Sequence, residues 1–293
     1  METDRVLCLE SVRYVYDLGT PFATEALCDI DLSIYRGETL VLMGKPGSGK
    51  STLLQLMNGL LRPTKGRVLL DGRDMWQKKK LIPNAREKVG LVFQYPEHQL
   101  FEITVGKDIS FGPRMMGLAE DEIEERVERS LAFVGLDQAL AERSPRSLSM
   151  GQKRLAALAG VMAMEPEVLV LDEPTAGLDP SARREILERL RGYKHKNAGT
   201  LVLATHRFED VAAVAERIVV LDAGRIAKSG TVAEILDVDQ ENKNELTELG
   251  LKQPEITRLM QHLAARGIPL ATDIITPEDA AKQILSLYAQ NRG

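Results

Sequence analysis

The sequence predicts an α/β fold: a largely parallel sheet between helices, an antiparallel sheet ahead of it, an all-helical insertion and a small C-terminal helical extension. Three observations carry that expectation. Short apolar runs recur between helical patterns at Thr39–Met43, Arg67–Leu70, Gly90–Phe93, Val168–Leu171, Thr200–Ala204 and Ile218–Leu221. Such runs are the mark of strands buried on both faces by crossover helices. Val6–Val12 and Ala26–Ile34 instead stand close together with no helix between them. In the second, Leu27, Asp29, Asp31 and Ser33 alternate with Cys28, Ile30, Leu32 and Ile34, the pattern of an antiparallel, half-buried strand. Between Gln94 and Val168 no strand pattern occurs. Ile123, Val127, Leu131 and Val134 recur there at helical spacing, and Gly135 follows as a C-terminal stop.

In chain order this predicts a core from residues 1–94 and 165–235, a helical subdomain over 95–164 and an extension over 236–293. The tract DVDQENKNE, from Asp237, reads as a linker. Two amphipathic helices follow. Ile256, Leu259, Met260 and Leu263 share one face of the first, and Ala281, Ile284, Leu285 and Tyr288 one face of the second. Thr276, Pro277 and Asp279 form an N-terminal cap for the latter.

Composition narrows the function. With 44% hydrophobic residues in 293, the chain can bury a sizeable core. Its 38 Lys and Arg against 43 Asp and Glu give a formal charge of −5, a poor footprint for binding nucleic acid. Cys8 and Cys28 sit in apolar, strand-like contexts without a CxxC or Cys/His grouping, so reduced structural thiols are expected, not a disulfide or a zinc site. No run approaches the 18 or so apolar residues of a membrane helix, and METDRVLCLE lacks the layout of a signal peptide. The chain is therefore expected neither to span a membrane nor to be exported, which leaves room for a seat on a membrane protein.

Chemistry concentrates first at Gly44–Ser51, which fits G-x-x-x-x-G-K-[ST] directly after an apolar strand and ahead of a helix bearing Leu53, Leu54 and Met57. Glycines let successive backbone N–H groups curl around a β-phosphate, and the helix N-terminus adds positive potential. Lys50 would reach the β/γ oxygens and Ser51 would bind Mg²⁺. Val168–Glu173 adds a buried strand ending in two carboxylates, Asp172 and Glu173, at the sheet edge where open α/β folds bind ligands. One would serve Mg²⁺ and the other polarise an attacking water. A strand ending in Asp-Glu is weak evidence alone, because acids often begin surface loops; beside a phosphate loop it favours nucleotide hydrolysis on a P-loop NTPase core.

Further segments then resemble the ATP-binding cassette ATPases. Leu148-Ser149-Met150-Gly151-Gln152 is similar to their LSGGQ signature, Gln94 to the Q-loop glutamine, Ala176–Asp179 to the D-loop and His206 to the switch histidine. Tyr16 lies where the family keeps an aromatic for stacking on adenine, with Tyr14 as the rival. The ordered set spans about residues 5 to 235. The resemblance implies ATP and Mg²⁺ as cofactors. It implies nucleotide contacts from Tyr16, Gly44, Gly47, Ser48, Gly49, Lys50, Ser51 and Thr52, and from Ser149, Gly151, Gln152 and Asp179. Glu173, His206, Lys50 and Gln94 take catalytic roles, and Ser51, Gln94 and Asp172 the metal. It also implies a head-to-tail dimer in which each signature closes on ATP held by the other subunit. Met150 departs from the family's glycine and is expected to weaken, without abolishing, the site this signature completes.

Val92–Glu102, Asp108–Pro113 and Ala163–Asp179 further resemble the ATPase subunits of energy-coupling factor transporters, and the second of two paralogous ATPases more than the first. Such complexes import vitamins or transition-metal ions. That resemblance implies a second ATPase subunit, with a heterodimer favoured, a transmembrane scaffold, a separate substrate-capturing membrane protein and a peripheral seat on the cytoplasmic face of the cell membrane. Glu97, Glu102, Leu100 and Phe101 are candidates for a groove receiving basic scaffold helices, and the C-terminal helices for subunit contact. An importer ATPase served by a soluble binding protein, and a soluble non-transport cassette ATPase, stay open as alternatives.

Overall fold

The computed structural model describes residues 4–197, 199–236, 248–249, 251 and 253–290; the linker expected from Asp237 lies outside them. The chain begins with β1 (Arg5–Tyr16) and β2 (Thr24–Tyr35), then β3 (Thr39–Met43), α1 (Lys50–Met57), β4 (Lys65–Leu70), β5 (Arg73–Asp74), α2 (Leu81–Lys88) and β6 (Val89–Val92). Three helices follow, α3 (Val105–Met115), α4 (Glu120–Val134) and α5 (Met150–Met162), with no strand among them. The chain returns to the core through β7 (Val168–Asp172), α6 (Pro180–Asn197), β8 (Thr200–Ala204), α7 (Phe208–Val214), β9 (Arg217–Asp222), β10 (Arg225–Gly230) and α8 (Val232–Leu236). Beyond it lie α9 (Glu255–Ala265) and α10 (Pro277–Gln290). Among the described residues, no helix is long and apolar enough to cross a membrane.

The central sheet runs in the order β10-β9-β3-β8-β7-β6, parallel except for β10. Its strands β3, β6, β7 and β8 are buried along their whole length because both faces are covered. In β3, Val41 and Met43 pack toward the helices, while Leu40 and Leu42 pack toward the second sheet. The same division repeats in β7, with Leu169 and Leu171 against Val168 and Val170. Each fully buried Leu or Val contributes about 2 kcal/mol by leaving water, so the two-sided burial anchors the strand ends from which the functional loops spring.

The second sheet has the order β2-β1-β4-β5 and is antiparallel. Arg67–Leu70 belongs here, paired with β1, and not to the parallel core where the apolar-run reading puts it. Only Val68 and Leu70 of that strand are buried, and Arg67 is exposed, so one face meets the core and the other meets water. The alternation in β2 also breaks. Between the pairs Val12↔Ile30 and Tyr14↔Leu27 the register shifts, and Asp29 adopts φ 51°. This bulge turns both Leu27 and Cys28 inward. Both cysteines are free; the Cys28 sulfur accepts hydrogen bonds from Arg13 Nη2 at 3.4 Å and Arg225 Nη2 at 2.8 Å.

In the helical insertion, Ile123, Leu131 and Val134 are buried and Val127 packs beside them. Gly135 closes α4 in the left-handed region at φ 70°. Of the expected faces in the C-terminal helices, that of α9 packs inward through Ile256, Met260 and Leu263 with only Leu259 of the four exposed, while that of α10 is corrected. Thr257 and Met260 of α9 and Ala280 of α10 point inward, whereas Leu259, Ile284, Leu285 and Tyr288 lie exposed. The apolar stripe on α10 is real, but it faces away from its own domain, whose small core closes on Met260, Leu270 and Ala280. Thr276 caps α10 as expected, accepting from Asp279 N at 3.2 Å.

Candidate nucleotide site

The phosphate loop joins β3 to α1 at the C-terminal edge of the parallel sheet. Gly49 sits at φ 101°, and a Cβ there would fall 2.7 Å from Leu27 Cδ2 and 2.8 Å from Ala26 O. The β2 bulge that brings Leu27 inward therefore demands glycine at this turn. Lys50 is buried and folds back over the loop, donating to Gly44 O at 2.7 Å and Lys45 O at 3.0 Å. Burial lowers its pKa, opposed by the charges of Glu173 and Asp172. Ser48 is buried and its hydroxyl has no protein partner. An arriving phosphate oxygen would satisfy both groups.

Asp172 ends β7 with its carboxylate buried. Burial raises its pKa, against a hydrogen bond from Ser51 and the charge of Lys50. A hydroxyl beside a carboxylate is a hard-oxygen pair suited to Mg²⁺. Ser51 and Asp172 would hold the ion, and when bound it supplies charge neutralisation across the phosphates. Gln94 lies two residues past β6, whose Val92 pairs with Leu171 of β7; it stands exposed at the same sheet edge.

Glu173 follows immediately, at φ 49° and with its N–H donating to Ala204 O at 2.9 Å. A glutamate in the left-handed region costs of order 1 kcal/mol, and here the conformation turns the carboxylate toward the next loop. Glu173 Oε1 meets His206 Nδ1 at 2.8 Å, while its Oε2 is buried without a protein partner. The glutamate side chain is 10% exposed and the histidine 56%. One member of the pair is fixed and the other is reachable.

Tyr16, at the end of β1, bonds through its hydroxyl to Thr52 Oγ1 of α1 at 3.0 Å and is 38% exposed. Tyr14 packs edge-on against it, 4.8 Å between ring centres, and belongs to the core. Tyr16 is thus the aromatic beside the phosphate loop.

The signature segment stands elsewhere, at the start of α5. Ser149 Oγ accepts from Gln152 N at 3.2 Å, and Ser149 N donates to Gln152 Oε1 at 3.0 Å. This reciprocal capping box gives Gln152 a definite local task. Met150 is 57% exposed and an added Cβ on Gly151 meets no atom within 4 Å. The surface is open to solvent. Asp179 caps α6 by accepting from Ser181 N at 2.9 Å and Ala182 N at 3.0 Å, bonds that lower its pKa.

Two connecting residues escaped the sequence reading. Arg154 of α5 is buried, pairs with Glu97 at 3.0 and 3.2 Å, and donates to Ala176 O. It ties the segment after Gln94 to the signature helix and the D-loop region. Glu97 is consequently an internal ion-pair member and not a free acid for a scaffold groove; a buried guanidinium needs that carboxylate. Asp210 is likewise buried, between Thr175 and Thr205. Nothing in the motif spacing signals either residue.

The sequence pattern of the ABC transporter family matches residues 27–176. Relatives named energy-coupling factor transporter ATP-binding protein EcfA2 match nearly end to end. That from Symbiobacterium thermophilum is 48% identical over 287 residues, 98% of each chain. That from Caldanaerobacter subterraneus subsp. tengcongensis is 46% identical over 277 residues, 94% of this chain and 96% of the relative. This chain belongs to the ATP-binding proteins of energy-coupling factor transporters. Among solved structures, cbiO1 of Clostridium perfringens, part of the ABC transporter complex cbiONQ, superposes with a TM-score of 0.73 at 39% identity, covering 88% of this chain and 99% of cbiO1. A dimeric ATP-binding cassette in a post-hydrolysis state with ADP and Pi gives 0.70 at 28% identity, covering 77% and 98%. The energy-coupling factor ATP-binding proteins are ABC ATPases coupled to transport, which accords with the fold and the phosphate loop above.

Proposed function

We propose that this chain hydrolyses ATP to power import of a micronutrient, a vitamin or a transition-metal ion, through an energy-coupling factor complex in the membrane. The observation that carries the reading is the Glu173 carboxylate, half held by His206 at 2.8 Å and half unclaimed in a buried position beside the phosphate loop. In this reading Glu173 Oε2 accepts a proton from the attacking water and aims it. Lys50 moves from the Gly44 and Lys45 carbonyls to the phosphates. His206 Nδ1 stays with Glu173 Oε1, and the other ring nitrogen is left to meet a γ-phosphate oxygen. Gln94 reports the γ-phosphate and the ion to the helical subdomain.

The site is completed by a second subunit whose signature closes on the ATP held here, while Ser149 and Gly151 close on the partner's. A second, non-identical ATPase of the same family is the favoured partner. The exposed Ile284, Leu285 and Tyr288 on α10 support a subunit contact at the C-terminal extension. Exposed Tyr95, Phe101 and Ile103, beside half-buried Glu102, support a seat for a transmembrane scaffold, which a separate membrane protein supplies with substrate. The chain would then lie on the cytoplasmic face of the membrane.

Gentle detergent co-purification of the tagged chain from its native membranes, with every stoichiometric partner identified by mass, tests this. The expected set is a second cassette ATPase, a scaffold and a small separate membrane protein. A soluble dimer from membranes that keep other complexes intact would refute the transport assignment and leave the ATPase chemistry standing.

A further inference from the structure

Behind the site lies a buried carboxylate that no step of the proposed reaction uses. Asp210, in the first turn of α7, has no exposed surface, and neither have Thr175 and Thr205. Thr175 Oγ1 donates to Asp210 Oδ2 at 2.5 Å, and Thr205 Oγ1 donates to the same oxygen at 3.1 Å. Thr175 stands two residues after Glu173, and Thr205 immediately before His206. One oxygen thus collects the loops that leave two adjacent parallel strands. Thr205 is held further: its N–H donates to Leu42 O of β3, and its hydroxyl accepts from Arg207 N at 3.2 Å.

Position argues for a function in the reaction. The β7–β8 ladder ends at the pair Asp172↔Ala204. Beyond it the loops are joined by Glu173 N to Ala204 O, by the Asp210 bridge, and by the Glu173–His206 bond itself. Burying a carboxylate whose Oδ1 has no protein partner is costly. An apolar side chain would fill the same space with less penalty, but could not receive a hydroxyl from each loop.

We propose that Asp210 is a positioning residue for ATP hydrolysis. Through Thr175 and Thr205 it keeps the two loops in the register that lets Glu173 Oε1 meet His206 Nδ1. The proposal rests on the assignment of Glu173 and His206 to catalysis.

The test measures MgATP turnover, KM for ATP and Tm in the full chain with its co-purified partners. The variants are Thr205→Ser, Thr205→Val, Asp210→Ala and His206→Ala, with Asp210→Ala also placed in the His206→Ala background. Thr205→Ser keeps the hydroxyl and turns over near the native rate. Thr205→Val keeps the shape, loses the donor and lowers kcat about tenfold or more with KM unchanged, the scale of a displaced catalytic group. Asp210→Ala lowers kcat at least as far, and adding it to His206→Ala lowers kcat no further. Equal losses in Thr205→Ser and Thr205→Val, or losses that multiply between Asp210→Ala and His206→Ala, would overturn the proposal in favour of a purely structural carboxylate. Should Asp210→Ala fail to fold, the threonine pair decides, since it removes one hydroxyl at constant shape. Native turnover in His206→Ala alone would instead remove the catalytic assignment, and the proposal with it.

Discussion

The phosphate loop and the signature segment both end at a helix N-terminus, yet they are finished to different degrees. Around Gly49 the chain encloses the site. Leu27 and Ala26 press on the glycine, Lys50 folds over the loop carbonyls, and Asp172 and Glu173 close in from β7 and the loop after it. Around Ser149 it encloses nothing. The serine caps its own helix with Gln152, Met150 lies exposed, and a Cβ added at Gly151 would meet no atom of the described residues within 4 Å. One region is a binding cleft and the other a surface. The contrast teaches that a glycine can be required by packing inside the chain, as at Gly49, or by whatever approaches from outside, as the proposal holds for Gly151.

The largest effect should come from Glu173→Gln. It keeps the shape beside His206 but loses the base, so turnover falls about 10²- to 10⁴-fold while ATP binding by equilibrium titration is retained; persistent hydrolysis would point to another base. Gly49→Ala should cost about 1–3 kcal/mol from strained backbone and crowding, read as a lower Tm with weakened ATP affinity, because Leu27 and Ala26 O stand in the way. Gly151→Ala, its counterpart on the open surface, should leave Tm and ATP affinity near native. A matching loss of stability in both would erase the distinction between cleft and surface.

Asp172 supplies a pH test. Burial raises its pKa, so the ionised form costs native stability, a cost absent at acid pH that sets in as pH rises past the ordinary carboxylate range and is complete above the raised value. Asp172→Asn should therefore have a higher Tm than the native chain at neutral pH without nucleotide, the gain should vanish below the ordinary carboxylate range, and turnover should be lost. An equal Tm gain at every pH would contradict the electrostatic cause. The smallest effects belong to the signature. Ser149→Ala should cost α5 about 1 kcal/mol as a lost cap, and Met150→Gly should raise turnover modestly by relieving crowding toward a partner. Unchanged turnover and dimerisation in Met150→Gly would exclude crowding.

The fold class was legible because both faces of the central strands are buried, which leaves unbroken apolar runs at Thr39–Met43, Val168–Leu171 and Thr200–Ala204. Arg67–Leu70 misled for a related reason: in four residues an apolar run does not say which sheet it joins, and its pairing with β1 is set by tertiary contact. The bulge at Cys28–Asp29 was hidden because alternation looks regular in sequence while the backbone inserts a residue. Along α10 the stripe Ala281, Ile284, Leu285 and Tyr288 was seen, but periodicity cannot tell a face packed on its own domain from one turned outward. In the site, Lys50, Asp172, Glu173 and His206 announce themselves by motif and are brought to one sheet edge. Arg154, Thr175 and Asp210 do not, because each works by a long-range hydrogen bond that no local spacing encodes, and Thr205 gains its task only through Asp210.

The central claim is that this chain binds ATP with its own phosphate loop and offers its signature to another subunit. The most direct measurement is the ATP affinity of a Gly151→Asp chain, alone and in its co-purified complex, alongside turnover of that complex. The account predicts native ATP affinity for the isolated chain and a loss of turnover in the complex, where the added carboxylate faces the partner's phosphates. Loss of ATP binding by the isolated, folded Gly151→Asp chain would place the signature in the chain's own site and contradict the account.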